Sequence, residues 1–170
     1  MSRAARIAIP VAALLLMVAA TVISSSHETG LPEDLASFTH VNTLVVPDTT
    51  SPIHGIHHFY ANKSALKTMK AGVDGGSYPD GAAFVGVVFA PHKTDDGRYR
   101  EGDRAAYTLM RKDAGNDATS ETGGWHFVMF TADGEKMDID PVKNCFGCHQ
   151  PHQKTDFVMS ELLAISPMMK

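Results

Sequence analysis

Cysteine is scarce in this chain, and neither sign of charge is in large excess. Two cysteines among 170 residues are too few for a disulfide-stapled scaffold, and a chain of this length buries a core without staples. A formal net charge of −4, with 20% charged and 44% hydrophobic residues, carries no polyanion-binding signal, so nucleic acid is not expected as a partner. The alternation of strands with crossover helices that marks a βαβ protein is missing as well. At roughly 100–200 residues per domain, the length predicts a single folded domain.

Charge is also missing from Ile7 to Ile23, a run preceded by the basic MSRAAR and followed by Ser24 to Ser26. This is the order of an export signal, although no clean A-x-A cleavage site follows, and a run of this length also approaches the short limit of a membrane anchor. Residues 1–29 are therefore expected to be a signal peptide or N-terminal anchor, and 30–170 a domain in the periplasm. Membrane attachment is expected only if the segment stays uncleaved.

Both cysteines fall in NCFGCHQPHQKTDF, Asn144 to Phe157. In an exported chain a cysteine pair oxidises by default, yet Cys145 and Cys148 are three apart and His149 follows at once. C-x-x-C-H is the attachment pattern of c-type haem: two thiols add to the vinyl groups, and the adjacent imidazole is held over the iron as proximal ligand. A thioredoxin-like dithiol and a zinc site compete for these residues. The first calls for a βαβ setting, and the second for two more ligands where only His152 is near. The expectation is one haem c per chain, tethered by Cys145 and Cys148 and ligated by His149.

A site this late in the chain sits poorly with a small helical electron-carrier cytochrome. Met159, Met168 and Met169 follow it as potential axial ligands, but Met159 is read as packing on a short terminal helix and the last two as tail. The body predicts the fold. Asn62 to Gly72 has a cap, helix formers and a closing glycine. Gly81 to Ala90, Ala106 to Asp113 and Trp125 to Gly134 read as strands separated by polar breaks too short for crossover helices. The class is α+β, an antiparallel sheet with flanking helices. On the third strand Trp125 and Phe127 share one side, and His126, Val128 and Phe130 the other.

HHFYANKSALKTMK, SYPDGAAFVGVVF, ETGGWHFVMF and NCFGCHQPHQKTDFV, in this order and spacing, resemble the cytochrome P-460 superfamily over roughly His54 to Val158. The resemblance implies a largely antiparallel β fold, a homodimer and a five-coordinate c-type haem. It also implies one of two activities: P-460 enzymes convert hydroxylamine or nitric oxide, whereas cytochromes c′-beta bind nitric oxide and similar gases. The enzymes carry a lysine cross-linked to the haem, on the strand after PDG. That strand here has no lysine, and the nearest are Lys67, Lys70, Lys93 and Lys112. By the same resemblance to cytochrome c′-beta, Phe84 becomes a candidate distal cap, with a plain core aromatic as its other reading. An aromatic lid offers dioxygen no hydrogen-bond donor, whereas nitric oxide binds ferrous iron without one. The expected function is gas binding, with hydroxylamine or nitric oxide oxidation and simple electron transfer as alternatives.

The remaining polar residues receive plainer readings. His54, His57 and His58 are placed in a loop without the acidic partners of a metal site. His152 is read as exposed. Asp156 is read as the cap of a helix over FVMSELLAI, and Lys67 and Lys70 as a solvated helix face. Glu101, Asp103 and Glu121 are read as solvated loop charges.

Overall fold

A computed structural model of the chain describes residues 30–73 and 76–162. The expected export segment and Met168 and Met169 lie outside the described residues. Among the described residues no helix is long and apolar enough to cross a membrane.

Five strands form one antiparallel sheet, β1 (Thr39–Val46), β2 (Gly55–Ala61), β3 (Ala83–Lys93), β4 (Tyr99–Lys112) and β5 (Trp125–Thr131), in the spatial order β1-β2-β3-β4-β5. Each strand pairs with its neighbour in sequence, as short connections require. The α+β expectation holds. The sheet, however, has two strands more than the three predicted: β1, a stretch for which no strand is expected, and β2, which holds His57 and His58 of the expected loop.

Helix α1 (Lys63–Ala71) joins β2 to β3. Its ends are those expected: the Asn62 side chain accepts from the Ala65 amide at 2.9 Å, and Gly72 closes it at φ 80. Asn62 also ties the helix start to the sheet, since Oδ1 accepts from the Ala83 amide and Nδ2 donates to the Gly81 carbonyl.

Strand alternation sorts the core into two faces. Ala61, Phe84, Met110 and Phe127 stand side by side across β2 to β5, on the face that also carries Trp125. Ala65, Leu66 and Met69 of α1 cover one part of this face, and Cys145, Phe146, Phe157 and Val158 cover another. The opposite face carries Ala83, Val85, Leu109, Val128 and Phe130, under Leu31, Leu35 and Phe38. The predicted division of β5, with Trp125 and Phe127 facing away from Val128 and Phe130, is the observed one.

The segment after β5 corrects a prediction. Helical turns run over Val142–Phe146, Gly147–His149 and Gln150–Thr155, but no helix begins at Asp156, and 157–162 has no regular structure. Asp156 caps nothing there, because its carboxylate is drawn into the core by a lysine. Met159 accordingly does not pack on a terminal helix and is 46% exposed.

Candidate haem site

Local sequence builds the turn that carries the cysteines. The Asp140 carboxylate accepts from the amides of Val142 and Lys143 at 3.0 and 3.2 Å, and Pro141 follows with a φ already suited to a helix. The Lys143 amide, with the Lys143 side chain behind it, holds Asp140 below the usual carboxylate range. Cys145, Cys148 and His149 then follow on consecutive helical turns, where residues three apart lie on one face.

The three side chains differ in environment. Cys145 is half-buried against the Trp125 and Phe127 face, whereas Cys148 is exposed, and both thiols are free. Burial, and then the neighbouring Cys148, push the Cys145 thiol up. His149 is half-buried, with its ring 4.8 Å from that of Phe127. Nδ1 lies 2.8 Å from the Phe157 carbonyl, an acceptor only, so Nδ1 carries the proton and donates. Nε2 takes no hydrogen bond among the described residues. Burial lowers the imidazole below its ordinary range, with the Phe157 bond opposing that shift and His152 adding to it. The side chain is a neutral imidazole with one nitrogen fixed and the other available.

The fixing acceptor sits on an unusual corner. Asp156 and Phe157 have φ of 50 and 66, and are the two positive-φ residues other than glycine among the described residues. Left-handed backbone costs an ordinary residue roughly 1–2 kcal/mol and persists where its surroundings over-determine it. Several contacts do so here. Asp156 Oδ1 accepts from Lys112 Nζ at 2.8 Å, and Oδ2 accepts from the Tyr78 amide at 2.8 Å and Ser77 Oγ at 3.0 Å. The Asp156 carbonyl accepts from Trp125 Nε1 at 2.9 Å. Lys112 Nζ also donates to the Gly123 carbonyl at 3.0 Å and stands 4.9 Å over the Trp125 ring. Both partners are buried, at 3% and 8% side-chain exposure. The Phe157 ring, 5.1 Å from that of Phe146, lies so close over Gly123 that a Cβ there would fall 2.2 Å from it.

The donor set fits a c-type haem. Two reduced thiols three residues apart share a turn with a neutral imidazole whose Nδ1–H is engaged by a carbonyl, the usual orienting partner of a ligating histidine. The turn lies against an apolar, aromatic sheet face. Beyond Phe127 that face continues through half-buried Met129 and Thr108 to Phe59, which stands over Gly86.

Other candidates are placed elsewhere or otherwise engaged. Phe84 is on the same face as Phe127, 6% exposed, with its ring 5.4 Å from Tyr78 and 6.1 Å from Trp125. Lys67, Lys70 and Lys93 are solvent-exposed, and Lys112 is the buried partner of Asp156. The histidines read as loop residues lie largely in β2, with neighbours pointing to opposite faces. His57 Nε2 bonds the Ile53 carbonyl, and His58 bridges Thr43 and Glu101. No three-ligand metal cluster occurs among the described residues. Glu101 and Asp103 lie in β4 rather than a loop, and Glu101 bonds His58 at 2.7 Å. His126 is on the face away from His149 and bonds Asp113 at 3.0 Å. His152 is exposed, as expected.

Sequence reasoning missed the Lys112 and Asp156 pair and the Phe157 carbonyl. The one signal available is the T-D-F triplet shortly after the C-x-x-C-H pattern, where the aspartate reads from sequence as a helix cap. A comparison with curated proteins finds no match. The family model of cytochrome P-460, a family of haem proteins, matches residues 32–160, well over half of the sequence. The chain belongs to the cytochrome P-460 family.

Proposed function

We propose that this is an exported, monohaem c-type cytochrome that binds nitric oxide or a similar small ligand at an open iron position, in the manner of cytochrome c′-beta. The observation that carries the reading is the His149 bond to the Phe157 carbonyl, 2.8 Å long, which presents Nε2 of a neutral imidazole beside two free thiols. Bound haem would supply an iron with an open position for a diatomic ligand. The protein supplies the rest. Cys145 and Cys148 would form the thioether tethers, and His149 would hold the iron.

The largely apolar face, on which the Thr108 hydroxyl is the polar group beside Phe59, favours nitric oxide, which binds ferrous iron without a donor. Phe59 and Phe84 provide its aromatic wall, Phe59 being the more open of the two. An uncross-linked haem is favoured by the commitment of Lys112 to Asp156 and by the solvation of Lys67, Lys70 and Lys93. An exposed Met159 gives no support to a second axial ligand. Periplasmic location rests on the export pattern of residues 1–29, and homodimerisation on the family resemblance.

One optical experiment tests this. The ferrous holoprotein should show an ordinary high-spin spectrum that changes on adding nitric oxide. A low-spin spectrum indifferent to nitric oxide would overturn the reading in favour of electron transfer. A red-shifted ferrous Soret band, with turnover of hydroxylamine, would favour the cross-linked enzyme. Cys145→Ser and Cys148→Ser should each weaken covalent attachment, and His149→Ala should remove the proximal ligand.

A further inference from the structure

The Lys112 and Asp156 pair touches neither thiol and lies outside the C-x-x-C-H motif, yet its bonds end one residue from the acceptor of His149. We infer that Lys112 and Asp156 are positioning residues for the proximal imidazole: by locking the left-handed corner at 156–157, they aim the Phe157 carbonyl at His149 Nδ1. The inference rests on the haem reading above.

Three parts of the fold converge on Asp156. Lys112 arrives from the end of β4, Trp125 Nε1 from the start of β5, and the Tyr78 amide with Ser77 Oγ from the segment before β3. Together they hold both carboxylate oxygens and the main-chain carbonyl of one residue. Phe157 then has little freedom. Its amide donates to the His152 carbonyl at 2.8 Å, its ring covers Gly123, and its carbonyl is left pointing at His149. Gly123 is itself held, since its carbonyl accepts from Lys112 Nζ. One ammonium group therefore bonds both the carbonyl of the glycine under the Phe157 ring and the carboxylate of the residue before Phe157.

A firm bond from Nδ1–H raises the basicity of a ligating imidazole and fixes its plane. Loosening the corner should weaken that bond, leaving a poorer electron donor on the iron. The chemistry of this pair is thus second-hand: it acts on the iron through a peptide carbonyl and a histidine.

The test is resonance Raman spectroscopy of the ferrous full-length holoprotein, with the midpoint potential as a second readout. Asp156→Asn and the neutral pair Lys112→Met with Asp156→Asn should each lower the iron–histidine stretching frequency and raise the potential. Trp125→Phe, which removes the bond to the Asp156 carbonyl and trims the ring beneath the Lys112 ammonium but leaves the Asp156 carboxylate bonds in place, should shift both in the same direction by less. Glu101→Ala, which removes the acceptor of His58 on the other face, should leave both unchanged. Wild-type frequency and potential in folded Asp156→Asn and in the neutral pair, together with a loss of thermal stability, would show the pair to be structural only and overturn the inference. Failure of the haem reading would look different, because the wild-type protein itself would then carry no covalent haem and no His149-dependent band.

Discussion

Replacing Lys112 by methionine should remove the ammonium, keep most of the apolar stem and leave Asp156 as a buried carboxylate without its counter-ion. Removing one member of a buried pair costs about 3–5 kcal/mol, chiefly the penalty of the charge left behind. The lower end applies, because the Tyr78 amide at 2.8 Å and Ser77 Oγ at 3.0 Å still donate to Asp156. The Gly123 carbonyl also loses a donor, worth about 1 kcal/mol, and the added apolar contact of the methionine offsets part of that. A net loss of about 3 kcal/mol follows. For a chain of 170 residues this corresponds to a fall of about 6–12 °C in Tm.

Urea melts supply the measurement, followed by far-UV circular dichroism and by fluorescence of Trp125, the one tryptophan in the sequence, which lies 4.9 Å from the Lys112 ammonium. The double variant Lys112→Met with Asp156→Asn carries no buried charge and should recover most of the loss, to within about 1 kcal/mol of the parent. A cost below about 1 kcal/mol for Lys112→Met would refute the reasoning, since a carboxylate with 8% side-chain exposure would then have lost its cation almost freely. So would a double variant as unstable as the two single changes added together, because the residues would then not interact.

Further outcomes can be checked independently. Gly123→Ala places a methyl against the Phe157 ring at φ 66 and should cost about 2–4 kcal/mol in chemical denaturation, from left-handed strain plus overpacking. Because the displaced ring is that of Phe157, the same variant should also broaden the haem spectrum, and a silent spectrum would argue against the corner's role. Asn62→Ala removes the α1 cap together with two ties to the sheet, and should cost about 1–2 kcal/mol, read from the same melts. Burial, and then the Asp156 carboxylate, push the Tyr78 phenol up to about 12 from 10.0. The unfolded chain therefore releases this proton first, and stability should decline as pH rises from 10.0 toward about 12. A difference titration of phenolate absorbance between the parent and Tyr78→Phe measures the shift directly, and a midpoint near 10 would contradict it.

What the sequence made legible divides along the range of the interactions involved. Asn62 and Gly72 bracket α1 because caps act within a few residues, and both predicted ends are the observed ones. Strand β3 is legible because Phe84, Val85 and Val88 face a core on each side of the sheet. Strand β2 was hidden: in GIHHFYA two histidines occupy positions that alternation would fill with one apolar and one polar residue, so no period-2 signal survives. Strand β4 begins earlier than predicted, at Tyr99, because Arg100, Glu101, Asp103 and Arg104 lie where the β3–β4 ribbon is solvent-exposed. A strand with no buried face leaves no hydrophobic trace.

The same division explains the site. Cys145, Cys148 and His149 are adjacent, so their chemistry is written in a five-residue word. The groups that orient His149 are a main-chain carbonyl, which no side-chain pattern encodes, and a lysine 44 positions away from its aspartate. Between Val142 and Thr155 the chain makes short helical turns, and past Thr155 it has no regular structure. Its rigidity is therefore lent by the sheet, through Lys112 at the end of β4 and Trp125 at the start of β5. Lys112 and Trp125 face each other where β4 pairs with β5. The strand pair that closes the sheet is thus the one that sets the imidazole.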